Sequence, residues 1–171
     1  VGLNSVQGAA ISGAERVIAL DLSDAKLEAA RDFGATHTVN VGKENAQEAV
    51  FGLTNGRGAD YVFVTVGAKS AIEQGFKLLG KGGALVIVGM TADNVMIEFD
   101  SCAFASVEQR LLGSKMGSTR LVADIPWYVS LYQQGRLKLD ELISGRYPLE
   151  QINEAIAKVN RGEALRNVIV F

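Results

Sequence analysis

Three apolar runs constrain this chain more than any other feature: RVIAL (Arg16–Leu20), YVFVTV (Tyr61–Val66) and ALVIV (Ala84–Val88). None alternates polar with apolar positions. A strand that is apolar throughout is buried on both faces, and such strands belong to a parallel sheet between two helix layers. The segments between them carry helical spacing. DAKLEAARDF reads as a helix stopped by Gly34, AQEAVFGL as another, and SAIEQGFKLL as an amphipathic third ended by GKGG. THTV (Thr36–Val39) adds a short strand, and NGRGAD a turn. The alternation of strand and helix predicts a doubly wound α/β fold.

Both ends of the chain extend that reading. Val1, Leu3, Val6, Ala9 and Ala10 recur at helical spacing, so the first residues already read as helix and the chain reads as a piece of a longer protein. After Met90 the rhythm changes. VMIEF (Val95–Phe99) alternates as a half-exposed or interface strand would, and QRLLG (Gln109–Gly113) reads as one more sheet strand. GSTRLVADIPWYVSLYQQG predicts a helix with Pro126 in its early turns. PLEQINEAIAKVNRG predicts another, with Ile152, Ala155, Ile156 and Val159 on one face and Gly162 as its stop, and RNVIVF a closing strand.

Composition narrows the partners. A formal charge of −2 gives no electrostatic case for nucleic acid or an anionic membrane surface. No apolar run approaches the roughly 18–20 residues that cross a bilayer. The single cysteine, Cys102, precludes an internal disulfide and makes a reducing, cytoplasmic setting the default expectation.

The run from Arg16 ends on a carboxylate, Asp21, followed by a polar turn and Lys26. In open parallel sheets, ligands bind at the carboxyl ends of strands. An acid there accepts hydrogen bonds from the ribose hydroxyls of an adenine dinucleotide, and its charge repels a 2′-phosphate, which favours NAD over NADP. Such an acid lies about 20 residues beyond the last glycine of a phosphate-binding loop, and Gly2 precedes Asp21 by 19. On that reading the sheet is Rossmann-like and lacks its first strand. An acid in this place also serves as a helix cap, and the pattern leaves both roles open.

VGLNSVQGAA, GAERVIALDLSDAKLEAARDFGATHTVN, GADYVFVTVG, AIEQGFKLLGKGGALVIVG and ALRNVIVF together resemble the carboxyl-terminal half of the zinc-dependent medium-chain alcohol dehydrogenases, almost end to end. The resemblance implies a cofactor site residue by residue. Val1 and Gly2 match the end of the glycine loop at the first helix's amino end, where free N–H groups attract the pyrophosphate. Asp21 and Lys26 match the two groups that reach the adenosine ribose. Val66 and Gly67 end a strand lining the cleft, and Val88, Gly89 and Met90 match the turn beside the nicotinamide. Ser114, Lys115 and Met116 fall where backbone groups hold the carboxamide. Arg166 matches an arginine that pairs with the pyrophosphate, a task suited to a planar guanidinium. Read singly, each has an ordinary alternative: Lys26 a solvated helix charge, Arg166 an edge-strand charge, Gly67 and Gly89 turn residues. Their order and spacing together carry the resemblance.

The resemblance also implies what is absent. A catalytic zinc would polarise the alcohol oxygen while hydride passes to NAD, with its ligands in an amino-terminal part outside residues 1–171. A three-ligand zinc site draws on grouped cysteine, histidine or carboxylate side chains. Here His37 and Cys102 stand far apart, His37 reads as structural and Cys102 as a small buried hydrophobe. No catalytic or metal-binding residue is therefore expected in this chain. Residues 1–115 should form the dinucleotide-binding domain, truncated at its amino end, and residues 116–171 a segment returning to the absent catalytic domain. Trp127, Tyr128 and Ile152 would then be exposed. Val95–Phe99 matches a region through which related enzymes pair their subunits, so a dimer is expected. Three other readings compete: a zinc-free, NADPH-dependent quinone or enoyl reductase, an S-adenosylmethionine methyltransferase, and a non-catalytic NAD-binding module.

Overall fold

A computed structural model describes all of residues 1–171, which divide into two compact units, Val1–Arg120 and Leu121–Phe171. The first unit alternates helix and strand: α1 (Gly2–Ile11), β1 (Ile18–Asp21), α2 (Asp24–Asp32), β2 (His37–Asn40), α3 (Ala46–Leu53), β3 (Ala59–Val64), α4 (Lys69–Leu78), β4 (Leu79–Ile87), α5 (Ser101–Ser106) and β5 (Arg110–Gly113). Every strand pairing is parallel. Local chemistry sets the boundaries. Gly34 takes φ +105 just beyond α2, a conformation that side chains resist. Asn45 caps α3 by accepting from the N–H groups of Gln47 and Glu48 at 2.9 and 3.1 Å. Asp100 caps α5 in the same way through Ala103.

The core of this unit lies where α4 packs on β3 and β4. Val64, Ile72, Phe76, Leu79 and Leu85 form one buried cluster. Gly75 lets the helix approach closely, since a Cβ there would meet Leu85 Cδ1 at 2.6 Å. A second cluster, Ala46, Val50 and Leu78, receives Ile18 and Leu20 from β1 and Ala59 and Val62 from β3. Both strands therefore rest on the same apolar seat. They are not hydrogen-bonded to each other: β1–β2 forms one sheet and β3–β4–β5 another. The parallel α/β architecture agrees with the sequence, and the break between the two sheets falls between β1 and β3.

Four expectations need correction. Tyr61 and Phe63 are 57% and 48% exposed, and Leu112 in β5 is 46% exposed. Alternate side chains of β3 face opposite ways, so Val62 and Val64 meet the clusters while Tyr61 and Phe63 project from a face open to solvent. Val95–Phe99 forms no strand. Ile97 packs on the α4 cluster, Phe99 stacks on Phe76 at 4.8 Å, and the Glu98 N–H donates to Glu73 Oε1, so within this chain the segment lies against the core and not in a sheet. Cys102 is exposed on α5 rather than buried. The GKGG segment does not precede β4 but lies within it, with an irregular register opposite Ala59 and Tyr61.

The second unit contains α6 (Leu121–Gln133), with Pro126 inside it, then β6 (Ile143–Pro148), α7 (Ile152–Asn160) and β7 (Arg166–Val170). β6 and β7 pair in parallel. Nothing in the sequence reading foresaw β6, because Gly145, Arg146 and Pro148 interrupt its apolar pattern. Ser144 Oγ accepts from the Leu165 and Arg166 N–H groups, and Asn167 Nδ2 donates to the Ala155 carbonyl at 2.8 Å, tying α7 to β7. Gly162 takes φ +73 after α7. Trp127, Tyr128 and Ile152 are exposed. No helix of the chain is long and apolar enough to cross a membrane.

Candidate functional site

The carboxyl ends of β3, β4 and β5 lie along one edge, because those strands are parallel and in register. There the chain makes tight returns. The Val88 and Gly89 N–H groups both donate to the Val64 carbonyl, at 3.0 and 2.9 Å, and the Ser114 N–H donates to the Ile87 carbonyl at 2.9 Å. Space at this edge is minimal. A Cβ on Gly67 would lie 2.1 Å from the Met90 carbonyl oxygen, and one on Gly89 would lie 2.4 Å from the Val66 carbonyl carbon. Val66, Gly67, Val88, Gly89 and Met90 are thus brought together, with Ser114 one strand further on. Val66 and Met90 are exposed, as are Lys115 and Met116.

The amino end of α1 reaches the same edge, since a Cβ on Gly2 would meet Thr65 Oγ1 at 3.2 Å. Val1 precedes α1 with no side-chain cap, so the first-turn N–H groups point outward without a partner from the chain. That end of a helix favours negative charge.

Asp21 is the last residue of β1, half-buried, and not the cap of α2, a position held by Ser23. Its Oδ1 accepts from the Ser23 N–H at 2.9 Å, a short local turn that fixes the carboxylate and leaves Oδ2 unpartnered. Asn40, at the end of β2, holds the same turn. It is 7% exposed, and its amide donates to the Leu22 carbonyl at 3.2 Å and to Asp24 Oδ1 at 2.6 Å, while its oxygen accepts from the Gly42 N–H at 3.0 Å. Hydrogen bonds from Lys43 and then Asn40 hold the Asp24 carboxyl below its usual range. Asn40 does not stand out in the sequence. The signal to be found was a polar residue ending a strand opposite Asp21, its register partner.

Lys26 is half-buried on α2 and makes no ion pair. Arg166 belongs to the second unit, where it is exposed at the start of β7. His37 Nδ1 lies 2.9 Å from Thr36 Oγ1. Two open surface depressions lie elsewhere, one lined by Asn45, Gln47, Ser70, Glu73, Gln74 and Lys77 and another around Arg31 and His37. Neither includes Asp21 or the glycine edge. No three His, Cys, Asp or Glu side chains gather as metal ligands. This chain's donor set does not fit a zinc site. The unpartnered Asp21 oxygen, the uncapped helix end and the glycine edge fit a dinucleotide.

The family model described as zinc-binding dehydrogenase matches residues 1–134. An NDMA-dependent alcohol dehydrogenase of Amycolatopsis methanolica is 37% identical over 99% of this chain and 46% of its own length. Among solved structures, benzyl alcohol dehydrogenase from Acinetobacter calcoaceticus superposes with a TM-score of 0.94 at 30% identity, over 98% of this chain and 46% of that one. An NADP-bound structure of a Sinorhizobium meliloti 1021 protein superposes with a TM-score of 0.78 at 29% identity, over 91% of this chain and 45% of that one. The chain spans less than half the length of the curated relatives it matches.

Proposed function

This chain belongs to the zinc-binding dehydrogenase family, and from that premise we propose that it is the cofactor-binding portion of an oxidoreductase that moves hydride between an alcohol, or its aldehyde or ketone, and NAD. The observation that carries the choice of NAD is the Asp21 carboxylate, held at the end of β1 through Oδ1 while Oδ2 takes no hydrogen bond from the chain. Two ribose hydroxyls suit such an acceptor, whereas a 2′-phosphate would place like charges together. In this reading the pyrophosphate lies at the amino end of α1, over Val1 and Gly2. Lys26 reaches the ribose, and the returns at Val66–Gly67 and Val88–Met90 border the nicotinamide. Ser114, Lys115 and Met116 offer backbone groups to the carboxamide. Bound there, NAD supplies the hydride chemistry. The zinc would be held outside residues 1–171, and residues 116–171 would return to the part that holds it. The protein would be cytoplasmic, and Val95–Phe99 would contribute to a homodimer.

Fluorescence titration of the chain with NADH and with NADPH tests this. NADH should bind more tightly, and Asp21→Ser should erase the preference. Tighter NADPH binding would instead support the quinone or enoyl reductase reading; NADP itself is bound in the Sinorhizobium meliloti neighbour, a zinc-binding dehydrogenase by its description. The chain alone should show weak affinity for cofactor and no alcohol oxidation.

A further inference from the structure

We infer that Asn40 is a positioning residue for the ribose-binding carboxylate, acting through the single peptide unit between Leu22 and Ser23. The inference rests on the role proposed for Asp21. That peptide is gripped at both ends. Its carbonyl, on Leu22, accepts from Asn40 Nδ2 at 3.2 Å, and its N–H, on Ser23, donates to Asp21 Oδ1 at 2.9 Å. A peptide unit is planar and rigid, so fixing the carbonyl fixes where the N–H points. The direction of that N–H in turn fixes Asp21 Oδ1 and leaves Oδ2 outside the turn's hydrogen bonding.

Asn40 can do this because its own amide is over-determined. Its second Nδ2 proton goes to Asp24 Oδ1, its oxygen takes the Gly42 N–H, and its own N–H donates to Glu44 Oε1 at 3.3 Å. The strands hold the two ends together, with Asp21 and Asn40 register partners and the Val41 N–H donating to the Asp21 carbonyl at 3.2 Å. A side chain of this size, nearly buried and with every polar atom engaged, has no free rotamer into which it can relax. Gly42 leaves room beside it. A Cβ there would meet Leu22 Cδ2 at 3.2 Å and Asn40 Oδ1 at 3.3 Å.

The test separates holding the turn from merely stabilising the fold. The paired exchange Asn40→Asp with Asp24→Asn keeps net charge and restores an amide–carboxylate pair, but offers no donor to the Leu22 carbonyl. NADH and NADPH dissociation constants and melting temperature are measured for it, for Asn40→Ser and for the unsubstituted chain. A lost hydrogen bond of ordinary strength predicts that the NADH preference falls roughly fivefold in the paired exchange, on top of a lower melting temperature, because the exchange sets a carboxylate against the Leu22 carbonyl and removes the Lys43–Asp24 ion pair. Asn40→Ser, small and polar, should lose the preference likewise and keeps the test open should the exchange fail to fold. A merely structural Asn40 would weaken both cofactors in parallel and leave their ratio intact, and that result in a folded variant overturns the inference. An unsubstituted chain with no NADH preference overturns the Asp21 reading itself, and the inference with it.

Discussion

The backbone of Gly67 lies against the carbonyl of Met90 so closely that a Cβ on Gly67 would stand 2.1 Å from that oxygen. The contact is reciprocated one step along, where Gly89 meets the Val66 carbonyl. The ends of β3 and β4 are thus pinched together where they return. Gly67 does not need its left-handed freedom here, because only space is at issue. Gly67→Ala should therefore force the two returns apart and cost about 1–3 kcal/mol, as overpacked sites do. Gly8, in the exposed interior of α1 with nothing within 4 Å of an added methyl, is the control. Gly8→Ala should gain about 0.5–1 kcal/mol from helix propensity. Urea unfolding of both variants reads the difference in sign.

Leu85 on β4 is 0% exposed and contacts the cluster built by Ile72 and Phe76 from α4. Its neighbour across the β4–β5 pairing, one position along, is Leu112, which is nearly half exposed. Leu85→Ala should cost about 2–5 kcal/mol, the range for emptied core sites, and Leu112→Ala less than about 1 kcal/mol. Chemical denaturation of the two variants checks whether the centre of the unit lies under α4.

What the sequence carried and what it withheld follows from the same geometry. Local chemistry was legible: α3 begins and ends where AQEAVFGL said it would, and Gly34 takes the left-handed turn assigned to it. Burial was less legible, because an apolar strand reports that it can be covered on both faces and not that this chain supplies both covers. Phe63 is such a case. VMIEF alternates at strand spacing, yet its Ile97 and Phe99 are apolar to fill the space beside Phe76 rather than to pair. In the site, Asp21 stood out as a charge ending an apolar run. Asn40 did not, since a polar residue ending a short strand reads as the start of a loop until its partners are seen across the register.

The Tyr132 hydroxyl donates to Asp140 Oδ2, and that bond, with the charge of Asp140, raises the Tyr132 pKa above its ordinary value. A folded pKa above the unfolded one favours the protonated phenol in the native state. Its stabilising contribution is complete below the unfolded value near 10 and is lost as pH rises through the folded value. Ultraviolet titration of tyrosinate should show one of the 4 tyrosines ionising late. In Asp140→Asn that late step should move to lower pH.

Tyr61 and Phe63 project from the same face of β3, their rings stacked at 6.3 Å, and Leu112 aligns with Phe63 across β4. β3 pairs only with β4, so its other edge carries unpaired backbone groups beside this open apolar face. An unpaired edge bordered by exposed apolar side chains templates association with further chains. Arg110, 6.0 Å over the Tyr61 ring, sets a charge at its rim. The chain at micromolar concentration should therefore self-associate and enhance the fluorescence of an apolar dye. Phe63→Lys places a charge in the middle of the face, and its aliphatic stem still covers the strand. It should leave the denaturation midpoint nearly unchanged, because Phe63 belongs to neither buried cluster, while sedimentation velocity shows the association weakened and the dye response reduced. A large loss of stability would mean that the face is covered in the native chain and that the apolar strand was sandwiched after all.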